Sequence, residues 1–219
     1  MKIKRMLAAA LLTGALFGGA LEAAPPAELT ADTLEYDSQT GVVEAKGSVK
    51  ITQDGAVATG ESAFYNTRTK ESRLTGGVEV VKENMRINAA IVTALAGATQ
   101  IVAEGNVVAV KDDWVLRAPR VEYDTERQYA EIPSAGSVET VDGTVTADRM
   151  EAYLGENRVN AFGNVRIISP PRNLEAFSDN ATYNKNERGK LVLSGNAVAT
   201  QDGNTLRGKT LTLYLGEQG

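Results

Sequence analysis

The sequence predicts an all-β chain built from two-strand repeats of about 29 residues. Three observations carry this: one short marker recurs at a fixed step, a second keeps the same step, and the segments between them alternate apolar and polar residues. The first marker, Ala31-Asp32-Thr33-Leu34-Glu35-Tyr36, returns as Gly60-Glu61-Ser62-Ala63-Phe64-Tyr65 and Ala89-Ala90-Ile91-Val92-Thr93-Ala94. It returns again as Ala118-Pro119-Arg120-Val121-Glu122-Tyr123 and Ala147-Asp148-Arg149-Met150-Glu151-Ala152, each start 29 residues after the last. Weaker copies begin at Ser178 and Gly208, after steps of 31 and 30.

The second marker is Gly-x-Val/Ala: Gly47-Ser48-Val49, Gly76-Gly77-Val78, Gly105-Asn106-Val107, Gly136-Ser137-Val138, Gly163-Asn164-Val165 and Gly195-Asn196-Ala197. Around the first copy, Val43, Ala45, Gly47, Val49 and Ile51 share one strand face, and Glu44, Lys46, Ser48 and Lys50 share the other. The third copy sets Ile101, Ala103, Gly105, Val107 and Ala109 against Gln100, Glu104 and Asn106. Period-two alternation over nine residues describes a strand with one dry and one wet face. Polar clusters such as Asp37-Ser38-Gln39-Thr40-Gly41, Asn66-Thr67-Arg68-Thr69 and Gln53-Asp54-Gly55 read as the hairpin turns between strands. The expected total is about 13–16 strands.

A glycine inside a strand costs roughly 0.5–1 kcal/mol against alanine, so its recurrence asks for a reason. Relief of crowding at a tight corner and the shaping of a cavity both fit. Departures from the period fall late in the chain. Pro133-Ser134-Ala135 adds two residues before Gly136 and suggests a bulge, while Ser169-Pro170-Pro171-Arg172 cannot sit in mid-strand, because two prolines remove two ladder donors. The Asn184–Lys190 connection is longer than its counterparts.

The N-terminus reads as an address. Lys2, Lys4 and Arg5 precede an apolar run from Met6 to Leu21 that contains Gly14, Gly18 and Gly19, followed by Glu22-Ala23-Ala24. This is a secretory signal peptide, residues 1–23, cleaved near Ala23 or Ala24 and leaving one domain over 24–219. Removal takes away three positive charges and one negative, and the mature net charge becomes −7.

Composition excludes whole classes of chemistry. Without Cys there are no disulfides, thiolate nucleophiles, zinc fingers or iron–sulfur clusters. Without His the commonest metal ligand and the usual general base near pH 7 are missing. The acidic balance and scattered Lys and Arg argue against nucleic acid. Asp32, Glu35, Glu61, Glu122, Asp148, Glu151 and Asp179 recur at repeat positions, where polar-face or turn placement makes them solvated charges rather than a paired-acid hydrolase site. No catalytic residue, cofactor or metal site is expected. The inner face, rich in Val, Ile, Leu and Ala and poor in aromatics, either seals as a dry core or holds acyl chains.

The stretches Leu29-Thr30-Ala31-Asp32-Thr33-Leu34-Glu35-Tyr36-Asp37 and Val42-Val43-Glu44-Ala45-Lys46-Gly47-Ser48-Val49 resemble the OstA-like (LptA) family, and the pattern covers about residues 27–216. The resemblance implies a twisted antiparallel β-jellyroll whose apolar interior carries lipid A acyl chains, in a periplasmic bridge moving lipopolysaccharide from inner to outer membrane. It also implies edge-strand pairing with LptC-like inner-membrane and LptD-like outer-membrane partners, and end-to-end pairing of copies. Open sheet edges template such pairing on physical grounds as well. The edges fall at Leu29, Leu34 and Tyr36 and at Leu211 and Leu213. The lipid-facing set is Val43, Ala45, Val49 and Ile51; Leu74, Val78 and Val80; and Ile101, Ala103 and Val107. A structural or adhesive β-solenoid with a sealed core is the rival reading.

Overall fold

The computed structural model describes residues 28–53, 55–95 and 99–216, so the signal segment and Asp54 of the first inter-repeat turn lie outside the described residues. The described residues form sixteen strands, and the chain divides into two compact units between Asp112 and Asp113.

The first unit holds β1 (Glu28–Thr30), β2 (Thr33–Asp37), β3 (Val42–Gln53), β4 (Ala56–Asn66), β5 (Ser72–Lys82), β6 (Met85–Leu95) and β7 (Gln100–Lys111). β1 and β2 both lie along β3, and each later strand pairs antiparallel with the next. Antiparallel order follows from the short polar turns, which reverse the chain but are too short for a parallel crossover. It removes the parallel solenoid as an architecture.

The turns close on their own side chains. Asp37 accepts from the Gln39 amide at 2.7 Å and from the Thr40 hydroxyl at 2.7 Å. Asn66 accepts from the amides of Arg68 and Thr69 at 2.9 and 3.1 Å. These short Asp and Asn side chains imitate a backbone turn. Successive turns are then stitched one repeat apart: the Thr67 amide and hydroxyl both donate to the Gly41 carbonyl at 2.8 Å.

The second unit holds β8 (Trp114–Asp124), β9 (Tyr129–Ile132), β10 (Gly136–Thr140), β11 (Gly143–Ala147), β12 (Arg149–Tyr153), β13 (Arg158–Ser169), β14 (Leu174–Asn184), β15 (Lys190–Gln201) and β16 (Asn204–Tyr214). The insertion at Pro133-Ser134-Ala135 does more than bulge the strand. It splits it into β9 and β10, which both pair with β8. The prolines fall as expected, in a 3-10 turn over Pro170–Arg172 between β13 and β14, and another such turn fills the long connection at Lys185–Glu187.

The mid-strand glycines mark a corner. Between Lys46 and Val49, β3 advances three residues while β4 advances two, from Ser62 to Gly60. Gly47 and Ser48 both take left-handed backbone, φ +77° and +49°, so the extra residue forms a bulge that turns the strand. The continuous alternation expected from sequence is therefore broken here. Val49 still lies four positions after Ala45, and both remain buried on the same face. β4 flips parity instead: Ala56 and Ala58 are buried before its corner and Tyr65 after it.

The two repeat markers meet at this corner. A Cβ on Gly47 would lie 2.9 Å from the Cβ of Asp32, and one on Gly163 would lie 2.5 Å from Oδ2 of Asp148. The backbone seals the contact, since the amides of Asp32 and Asp148 donate to the carbonyls of Gly47 and Gly163 at 2.9 Å. The residue after the glycine then reaches back: Ser48 donates to Asp32 at 3.3 Å, Asn164 to Asp148 at 2.7 Å and Asn196 to Asp179 at 3.0 Å. Asparagine suits this place because it both tolerates left-handed backbone and donates from its side chain.

Candidate functional site

Cross-strand register assembles the inner face as rows. In the first unit one row runs Tyr36, Val43, Tyr65, Ser72, Ala94, Ile101 from β2 to β7. The next runs Leu34, Ala45, Ala63, Leu74, Val92, Ala103. Beyond the corner a third runs Leu29, Ile51, Ala58, Val80, Ile87, Ala109. Seven of the ten residues read from sequence as lipid-facing lie in these three rows, and Val49, Val78 and Val107 lie beside the corner. Eight of the ten are buried, whereas Val80 and Ile101 are half-buried.

The second unit repeats the pattern, which the sequence reading did not extend to it. A row runs Ile132, Met150, Ala161, Ala181, Leu193, Leu211 from β9 to β16. All but Leu211 are buried. The signal was present in the repeat itself: counting the same offsets from the later Gly-x-Val/Ala markers reaches Ala161, Val165 and Leu193.

The rows end on strands with one neighbour each. Among the described residues β2 pairs only with β3, and β16 only with β15. Their inner-face side chains are correspondingly open: Leu34 is 43% and Tyr36 53% exposed, and Leu206 56%. Leu211 and Leu213 are half-buried, and Leu29 is covered by β3. In each unit the apolar rows thus reach a terminal edge strand.

The outer face is polar and, in the second unit, tightly paired. Register places Glu122, Glu131, Glu151 and Asn160 abreast on β8, β9, β12 and β13. Three neighbouring carboxylates would repel, and guanidinium groups offset this. Arg120 pairs with Glu122 at 2.8 Å, and Arg149 binds Glu131 at 2.7 Å while also pairing with Glu151. The Tyr129 and Tyr153 hydroxyls donate to Glu131 and Glu151 at 3.0 and 3.1 Å. Burial and the Glu131 carboxylate push the Tyr129 phenol well above its ordinary value. Burial pushes the Glu151 carboxyl up, but hydrogen bonds from Asn160 and Tyr153 and the Arg149 charge outweigh it and hold that carboxyl below the ordinary range. These acids are occupied by structural partners. Along the first-unit corners an open depression of about 680 Å³ is lined by Asp32, Ser48, Thr59, Glu61, Ser62 and the corner glycines, a polar and not an apolar surface.

A family model described as LptA/(LptD N-terminal domain) LPS transport protein matches residues 57–158 and 93–219, more than half of the chain. The chain belongs to this family of lipopolysaccharide transport proteins. No curated protein matches. Among solved structures the chain is similar to LptH from Pseudomonas aeruginosa, the LptA-homologous periplasmic component of its lipopolysaccharide transport device. The two share 18% identity over 48% of this chain and 80% of that one, with a TM-score of 0.43.

Proposed function

We propose that this chain is an LptA-like bridge in the periplasm, exported by cleavage of its N-terminal segment, that shields lipopolysaccharide acyl chains on its apolar inner face and passes them from inner to outer membrane. The observation that carries the reading is the set of largely apolar rows that, in each unit, reach a strand open on one side among the described residues, in a chain of the lipopolysaccharide transport family. Each CH₂ removed from water contributes about 0.8 kcal/mol, so acyl chains gain strongly from such a face. Repeated, nearly equivalent rows give similar affinity along the path, which sliding requires. LptC-like and LptD-like partners would add strands at β2 and β16, supplying the missing hydrogen bonds. The work is transport without covalent chemistry.

One observation favours the rival, a structural protein with a sealed core: Val49, Leu74, Val78 and Val107 are fully covered by the chain's own atoms. In the transport reading the lipid parts this face. Alanines at Ala45, Ala58, Ala103 and Ala109 make parting less costly than in a core of large side chains, because little apolar area separates. A photo-reactive residue at Ile101 or Val49, in a lipopolysaccharide-making host, distinguishes the two. Adducts with lipopolysaccharide support transport; folded protein without adducts at either site refutes it.

A further inference from the structure

One residue of the inner face breaks the repeat. Four positions before the corner glycine stand Val43, Ile101, Val159 and Leu191, but Ser72 before Gly76. Cross-strand register puts Ser72 on an inner row, directly between Tyr65 of β4 and Ala94 of β6. All three are buried, and Ser72 is only 3% exposed. Its hydroxyl has no hydrogen-bond partner among the described residues. The buried serines of the second unit are satisfied: Ser169 donates to the Asp142 carbonyl at 2.6 Å, and Ser178 to the Asn180 carbonyl at 2.8 Å. A buried hydroxyl left unpaired is destabilising. Nothing in the strand pattern calls for one here, since valine, isoleucine and leucine fill the equivalent places.

The row that holds Ser72 is also where polar side chains enter the first-unit interior. It carries Tyr36 and Tyr65 as well, whereas the next row, Leu34, Ala45, Ala63, Leu74, Val92 and Ala103, carries no polar side-chain atom. Resting on the transport reading above, we infer that the Ser72 hydroxyl donates to a carbonyl of the bound lipid, the ester or amide carbonyl at which a fatty acyl chain joins its headgroup. The methylenes of the chain offer no acceptor, so this carbonyl is the group that can satisfy Ser72 while the chain lies on the apolar rows. The bond fixes depth. The carbonyl sits at the Tyr36–Tyr65–Ser72 row, and the methylenes run past Leu74 toward Val78 and the corner. It also gives selectivity, because a hydrocarbon without the carbonyl leaves the buried hydroxyl unpaired.

The test uses the full mature chain with a photo-reactive residue at Ile101 or Val49, titrated with purified lipopolysaccharide. Urea unfolding of the same chains is measured without lipid. Ser72→Ala and Ser72→Cys both remove the hydroxyl oxygen, and the second does so without opening a cavity. Both are expected to unfold at a urea midpoint equal to or above that of wild type, because an unpaired buried hydroxyl is gone. Both are expected to need about three- to tenfold more lipopolysaccharide for half-maximal adduct. Stability held or raised while binding weakens is a signature that a packing role would not give. Variants that bind as tightly as wild type overturn the inference and leave the transport reading standing. If both variants are less stable than wild type, the hydroxyl is already satisfied in the free protein, and the inference fails as well. Folded wild type that gives no adduct at either site overturns the transport reading itself.

Discussion

Replacing Gly105 by alanine tests the corner directly. Gly105 has φ +83°, and an added Cβ would stand 2.5 Å from the Ala90 Cβ across the β6–β7 pair. Left-handed backbone costs an L-residue roughly 1–2 kcal/mol. The contact is about 1 Å inside normal carbon separation, and overpacking of this kind costs about 1–3 kcal/mol more. Gly105→Ala should therefore lose about 2–5 kcal/mol. With a urea dependence of about 2 kcal/mol per molar, the midpoint falls by about 1–2.5 M. Gly55 supplies the control, since its φ is +72° but nothing lies within 4 Å of an added Cβ. Gly55→Ala should show the backbone cost alone, roughly 1–2 kcal/mol. Adding Ala90→Gly to Gly105→Ala removes the clashing methyl and should recover about 1 kcal/mol or more, even after the cost of a second strand glycine. Urea unfolding followed by circular dichroism reads all three. If Gly105→Ala is no worse than Gly55→Ala, or Ala90→Gly recovers nothing, the two markers do not meet as described.

The Asn164–Asp148 hydrogen bond at 2.7 Å should show as a coupling of about 0.5–1.5 kcal/mol in a double-mutant cycle with Asn164→Ala and Asp148→Ala, measured by urea unfolding. Leu193 is fully buried, so Leu193→Ala should cost about 2–5 kcal/mol. Leu206→Ala, on the open edge, should cost under about 1 kcal/mol in the same assay. Glu151 has a folded carboxyl held below its ordinary value of 4.5, so its stabilisation is present above that pH and is lost as pH falls through the lower, folded value. Acid titration of stability should therefore be shallower for Glu151→Gln than for wild type below about pH 4.5.

Much of the fold was legible because its signals are local and repeated. The fixed step of the Gly-x-Val/Ala marker, the period-two alternation and the Asp and Asn turns each depend on residues close in sequence. The corner was less legible. Val43, Ala45, Val49 and Ile51 lie at even spacing whether the strand is straight or bulged, so alternation cannot reveal that Gly47 and Ser48 turn it. Asp32 looked like a solvated charge because its partners, Gly47 and Ser48, are 15 and 16 residues away and meet it only through pairing. Their joint recurrence, acid then Gly-Asn one strand later at Asp148 and Asp179, was the available clue. The split of β9 from β10 shows the same limit: Pro133 announces an interruption, but only the register shows that both halves stay on β8. The candidate site was half legible. Its first-unit residues follow from face assignment, whereas its sealing and its continuation through Met150, Ala181 and Leu193 are properties of packing.

A residue-by-residue photo-crosslinking scan across Gln100–Glu104 in a lipopolysaccharide-making host tests the transport reading most directly. Ile101 and Ala103 lie on the inner rows, while Gln100, Val102 and Glu104 lie on the other face of β7. Lipopolysaccharide adducts at Ile101 and Ala103, and none at the three intervening positions, are the predicted result. Adducts at all five, only on the outer face, or at none with the fold intact would contradict an acyl-carrying interior.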